Sequence, residues 1–307
     1  MASLRQIRSR LRSIQNTKQI MRAMQLVSGS KFKRAQGKLL QARATLAFLD
    51  GLLERLLASN QGFNHPLCAT RDDAPSTLVL FTSDTGLCGS YNTNLIQLAE
   101  SFLNRDSLRR TSVVYVGKKG FRYFTKRGWT AAESYLDLAG RPDLAKAEAI
   151  GRALMERFLS GQTGSVHLLY SQFGSATTYR PSIMQWLPIP LETTTEPKAE
   201  GPRPKATASG FRPPTSGLRR DAADYIFEPT SQRVFEDLLP RWALATFQRV
   251  MLEAFTSEHS ARMIAMKNAT DNAEEILKAL TTQRNKIRQA SITKEISEIV
   301  GTAEALK

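Results

Sequence analysis

The sequence predicts a mixed α/β protein in which both chain ends form one long antiparallel coiled coil around a central Rossmann-like α/β domain. Three observations predict it. Apolar residues recur at alternating steps of three and four along both ends of the chain. Between them, short β-branched runs alternate with helical stretches. A proline-rich stretch poor in large apolar residues then separates this middle from the C-terminal helix. The expected divisions are residues 1–60 for the first helix, 75–192 for the α/β domain, 193–220 for a linker or insertion, and 221–307 for the last helix.

The N-terminal seam runs from Leu4, Ile7, Leu11 and Ile14 through Met21, Phe32, Ala35, Leu39, Ala42 and Leu46 to Leu49, Leu53 and Leu56. Only Lys18, Gln25 and Ser28 interrupt it. Such a repeat specifies a left-handed coiled coil, about 80 Å long at 1.5 Å per residue. Gly29 and Gly37 each weaken a helix by about 1 kcal/mol relative to Ala, so both are expected where another chain approaches closely. The C-terminal seam passes through Phe235, Leu238, Trp242, Ala245, Leu252, Thr256, His259, Met263, Met266, Leu277, Leu280 and Ile287. Arg249, Arg284 and Lys294 make it less apolar than the first, and beyond Ile287 the spacing shifts to Ile292, Ile296, Ile299 and Val300. Two such helices pair within one chain or, alternatively, in a parallel homodimer.

In the middle, residues 77–81 (TLVLF), 112–117 (SVVYVG) and 165–170 (SVHLLY) read as strands. Helices are expected near 94–103, 117–126 and 143–159, which gives a largely parallel sheet. Residues 180–191 (RPSIMQWLPIPL) read as a last, edge strand ended by its prolines.

Composition narrows the function. The formal charge of +15 calls for an anionic partner: nucleic acid, an acidic membrane surface or an acidic protein face. From residue 1 to 49 there are eleven Lys or Arg and no acidic residue. No apolar run is long enough to span a bilayer, and the start does not read as a signal peptide. Cys68 and Cys88 read as reduced thiols, and the three histidines have no metal-ligand spacing. No cofactor is expected.

Residues 84–92 (DTGLCGSYN) follow a strand and precede a helix, where phosphate loops and nucleophile elbows occur. The segment lacks both the P-loop Gly-Lys-Ser/Thr and the GxGxxG spacing, so Gly86, Cys88 and Gly89 read as a tight glycine turn. Residues 117–120 (GKKG) read as a solvated turn. Asp271, Glu274 and Glu275 read as a salt-bridged helix face. The basic N-terminal helix could bind nucleic acid through phosphates, but its aromatics are not interleaved with the cations.

Four blocks carry a family resemblance: residues 7–30 (IRSRLRSIQNTK…RAMQLVSGS), 82–92 (TSDTGLCGSYN), 261–272 (ARMIAMKNATDN) and 285–301 (NKIRQASITKEISEIVG). Together they resemble the gamma subunit of F-type ATP synthases. The resemblance implies a non-catalytic rotor shaft, turning inside a ring of alpha and beta subunits, with its foot on the epsilon subunit and the membrane c-ring. It implies no bound nucleotide, and a peripheral place on the cytoplasmic side of a bacterial plasma membrane. It also implies that Met24, Arg262, Arg288, Gln289, Thr293 and Glu295 contact beta subunits, and that Asp224, Tyr225 and Glu228 lie at the c-ring foot. The apolar tip from Ile292 onward is expected to turn in a hydrophobic sleeve. Thr85 and the pair Ser90-Tyr91 depart from the family's usual residues. The 193–220 segment stands where photosynthetic members carry a regulatory insertion; having no cysteine, it cannot work as their dithiol switch.

Overall fold

A computed structural model describes residues 4–59, 62–71, 74–105, 111–138, 140, 143–190 and 227–305. The linker expected at 193–220, with Asp224 and Tyr225, lies outside the described residues. Two helices dominate: α1, Leu4–Ser59, and α5, Ser231–Ala305. Between them run β1 (Ser76–Phe81), α2 (Tyr91–Arg105), β2 (Ser112–Val116), α3 (Lys118–Thr125), β3 (Ala131–Tyr135), α4 (Leu144–Leu159), β4 (Ser165–Phe173) and β5 (Tyr179–Leu187).

α1 and α5 pair antiparallel within the one chain. Lys18 meets Glu274 at 3.0 Å, Arg43 meets Glu253 at 3.0 Å, and the Trp242 indole N–H donates to Asp50 at 2.6 Å. Each step up one helix is therefore matched by a step down the other. The heptad reading locates the buried face of α1: Ile7, Ser28, Phe32, Ala35, Leu39, Leu46 and Leu56 are buried, and the other seam positions described are half-buried. By the same register, about 15 residues of α5 run past the first turn of α1, a bare stretch about 20 Å long. There Ile292, Ile296, Ile299 and Val300 are exposed.

The sheet has the order β3-β2-β1-β4-β5. The first four strands are parallel and β5 is antiparallel to β4 at the edge. Pro181, opposite Ser171 in β5, fits an edge because it has no N–H to donate. β3 was not legible in the sequence: its AAESY run has few β-branched or large apolar residues and alternates half-buried with exposed positions. Alternation along the strands feeds two cores. Leu78, Leu80, Val113, Tyr115 and Leu169 face Leu95, Ala99, Leu103 and Phe124 of α2 and α3. Val79, Phe81, Val114, Val116, Leu168 and Tyr170 face α4 and, in α5, Phe235, Leu239, Phe247, Val250 and Met251. One face of the sheet is thus covered by α5 itself.

The GKKG segment is not the solvated turn expected from its composition. Gly117 and Gly120 are buried, and a Cβ on Gly117, at φ +105°, would sit 2.0 Å from the Thr82 carbonyl oxygen. Gly29 does mark a close approach, but by the same chain: Met263 Sδ would lie 3.4 Å from an added Cβ. Gly37 has nothing within 4 Å. Gly117→Ala should therefore lower unfolding free energy by more than about 2 kcal/mol through clash and backbone strain. Gly37→Ala should raise it by about 0.5–1 kcal/mol; denaturant titration of the purified chain checks both.

Candidate functional site

In open α/β sheets, ligands bind outside the carboxyl ends of the strands, where the strand order reverses. Here that point lies between β1 and β4, since the chain leaves β1 for β2 on one side and returns as β4 on the other. The crevice is filled by α5. Residues 251–262 are buried all round, although they include Glu253, Thr256, Ser257, Glu258, His259, Ser260 and Arg262. Buried polar groups need partners, and the ends of the strands supply them. Ser257 donates to the Ser171 carbonyl at 3.0 Å, and Ser260 donates to that of Ala176. Tyr91, at the start of α2, donates to the Ala254 carbonyl at 3.0 Å.

The glycine turn closes onto this segment. Leu87 (φ 64°) and Gly89 (φ 58°) take left-handed backbone conformations that turn the chain sharply. Asn92 holds the turn from within: its Oδ1 accepts from the Ser83 N–H at 3.0 Å, and its amide donates to Cys88 Sγ at 3.1 Å. Cys88 is buried and free, a small packed thiol. The outward carbonyls of Thr85 and Gly86 accept from Arg262 Nη2 and Nε, each at 3.1 Å.

Arg262 thus turns inward. Only 6 % exposed, it also holds Glu258 at 2.8 Å and contacts His259 Nδ1 at 3.3 Å. The resemblance had placed it against a beta subunit; the guanidinium instead clamps the glycine turn to α5, because two carbonyls and a carboxylate surround it. His259 Nε2 lies 2.8 Å from the Gly140 carbonyl. The neutral tautomer with its proton on Nε2 satisfies both ring nitrogens. Burial is the main cause lowering the His259 pKa, to about 4, with Arg262 and Lys31 acting the same way. Burial raises the Glu258 pKa, against the pull of Arg262.

The N-terminus of α3, a second place to look for an anion cradle, is also used up. Asp84 accepts from the Lys118 N–H at 3.1 Å, Ser83 O from Lys119 at 3.0 Å, and Thr82 Oγ1 from Gly120 at 2.9 Å. A cavity of about 630 Å³ does exist, lined by Arg71, Arg105, Thr111, Ser165 and Gln185. It opens at the amino ends of the strands, and Arg71 on its wall donates to the Phe158 and Leu159 carbonyls. Among the described residues no group of three or more His, Cys, Asp or Glu could hold a metal, and no helix is long and apolar enough to cross a membrane. Of the acids expected on a salt-bridged face, Glu274 pairs with Lys18 and Lys278.

Five of the remaining residues named from the sequence lie on α1 and α5. Met24 is half-buried on α1; Arg288 and Gln289 are exposed where α5 passes the start of α1, and Thr293 and Glu295 are exposed on the bare stretch beyond it. Glu228 is exposed just before α5 begins.

The ATP synthase family model matches residues 3–306. ATP synthase gamma chains of Desulforamulus reducens and Moorella thermoacetica are 38 % and 39 % identical to the chain, each over the full length of both proteins. The chain belongs to the ATP synthase gamma family. The fold agrees: a rotor chain of the Euglena gracilis mitochondrial ATP synthase superposes with a TM-score of 0.61 over 94 % of this chain and 98 % of its own, at 18 % identity. A central stalk/c-ring chain from Tetrahymena thermophila gives 0.56 over 81 % and 99 %, at 22 % identity. In this gamma-family chain, sequence reasoning missed the inward role of Arg262 and the buried Glu253. The signal was present as i,i+4 pairs, Glu258 with Arg262 and Arg249 with Glu253, which also fit an exposed helix face.

His259 gives a pH dependence with a definite sign. Its folded pKa lies below the unfolded value, so the unfolded chain binds the extra proton between pH 6.5 and 4. Acidification through that window should cost on the order of 3 kcal/mol of stability. Glu258, with a raised pKa, acts in the opposite direction, so the comparison with His259→Gln isolates the histidine. Thermal unfolding at pH 7 and pH 4.5 should show a larger drop for the native chain than for the variant.

Proposed function

We propose that the chain is the central rotor shaft of an F-type ATP synthase. As a non-catalytic subunit it couples ion flow through the membrane sector to ATP synthesis or hydrolysis by turning inside the alpha/beta ring. The observation that carries this reading is α5. One unbroken helix of 75 residues, about 110 Å long, is core of the α/β body at one end and bare rod at the other. A helix that only stabilised a globular domain would have no use for an unpaired end with exposed Ile292, Ile296, Ile299 and Val300.

The α/β body forms the foot, with the epsilon subunit and c-ring as partners and Asp224, Tyr225 and Glu228 on the c-ring side. The complex holds the chain peripherally at the cytoplasmic face of a bacterial plasma membrane. Met24, Arg288, Gln289, Thr293 and Glu295 meet the beta subunits, and the apolar tip turns in a sleeve of the ring. Arg5, Arg8, Arg10, Arg12 and Arg22 are exposed along α1, where acidic loops of the beta subunits pass them. Exposed long-stemmed cations suit a turning surface, since each such pair contributes only about 0–1 kcal/mol.

Co-purification tests the reading. The tagged chain should bring down alpha and beta subunits at about three of each per chain. If it instead elutes alone and binds DNA with a steep salt dependence, it is a nucleic-acid-binding coiled coil. In the assembled complex, deleting residues 193–220 should leave the ATPase rate and ion coupling within about twofold of native, a change of under about 0.5 kcal/mol in barrier.

A further inference from the structure

Where the shaft enters the α/β body, three elements meet at one buried carboxylate. Glu253 of α5, 1 % exposed, accepts at Oε1 from Arg43 of α1 and from Arg249 one turn earlier, both at 3.0 Å. Its Oε2 accepts from the Phe173 N–H, at the end of β4, at 3.4 Å. Arg43 Nη2 also donates to the Phe173 carbonyl oxygen at 2.8 Å. The Phe173 residue is therefore held at both backbone polar groups, one by each shaft helix. Its ring packs with Phe32, Leu39 and Leu252, which belong to the same two helices.

Apolar packing is non-directional and resists rotation of one helix about another weakly. Charged hydrogen bonds to fixed backbone atoms are directional, and the burial of Glu253 lessens their screening by salt. We propose that the Arg43–Glu253–Phe173 junction is the torsional joint of the shaft, the point that fixes its rotational register on the α/β body. Resting on the rotor reading, this makes Arg43 and Glu253 positioning residues for coupling: they touch neither nucleotide nor ion. Higher along α5, the Arg262 clamp hydrogen-bonds that helix to the glycine turn, whereas the Glu253 junction joins α1, α5 and the sheet through direct hydrogen bonds.

The test uses the assembled complex, with the alpha/beta ring fixed to a surface and a probe on the α/β body of this chain. Angular fluctuation of the probe is recorded in the nucleotide-locked state, alongside ATPase rate and ATP-driven ion pumping. Glu253→Gln and Arg43→Met should each widen the angular variance at least twofold and lower ions pumped per ATP, with the ATPase rate within about twofold of native. Arg43→Lys, which keeps a cation, should restore most of the stiffness. Native variance in both variants would overturn the proposal, as would equal softening by Arg43→Lys and Arg43→Met. Should Glu253→Gln fail to assemble, Arg43→Met decides alone, since its side chain is 39 % exposed. Failure of the native chain to join alpha and beta subunits would refute the rotor reading instead, and is seen before any variant is made.

Discussion

Everything in this structure depends on α5 satisfying two surroundings at once. Near its start the helix packs into a sheet, and its first turns, as far as Phe255, bury apolar side chains against β1, β2, β4 and α4. Farther on it is one strand of a two-helix rod, with a single stripe to bury. A helix that serves only one of these needs one pattern throughout. α5 carries three in succession: an apolar segment wide enough for sheet and α1, a buried polar segment at 251–262, and a narrow seam that ends in an exposed tip.

The polar segment is where the two surroundings are joined. Unpaired, Glu253, Glu258, His259 and Arg262 would each carry a desolvation penalty of several kcal/mol. Strand ends and the glycine turn present backbone carbonyls and N–H groups that cannot move far, and these groups absorb the penalty. Exchange of this segment for apolar residues would retain burial but lose direction. Leu and Phe side chains accept many rotations of α5 over the sheet; a guanidinium between the Thr85 and Gly86 carbonyls accepts one. The same segment fills the crevice where a Rossmann-like sheet would hold a nucleotide, so the fold has given up its usual binding place to grip a helix.

This explains what the sequence disclosed. The buried stripe of α1 was legible in the sequence, because α1 meets one partner along one stripe and a heptad describes that geometry. The long parallel strands and the edge strand were legible from β-branched runs and prolines. β3 was not, since a half-exposed edge strand has no reason to be apolar. In the C-terminal helix, Thr256 and His259 looked like weak seam positions, when they are members of a satisfied polar junction. Nothing local to the glycine turn announces that Arg262, far along the chain, fills its carbonyls. Periodicity reports which face of a helix is buried; it does not report which distant backbone atoms wait there.

Charge followed the same division. Along α1 most cations sit outside the seam, where solvent or a partner meets them, and their number follows from composition alone. Lys18 crosses to the partly exposed Glu274, and Arg43 reaches across to a carboxylate that α5 keeps buried. A rod held only by its apolar stripe could turn within its own body and dissipate rotation as twist. A rod tied through one buried carboxylate to the backbone of a sheet has a defined angle to that sheet, and an angle is what a rotating part must keep.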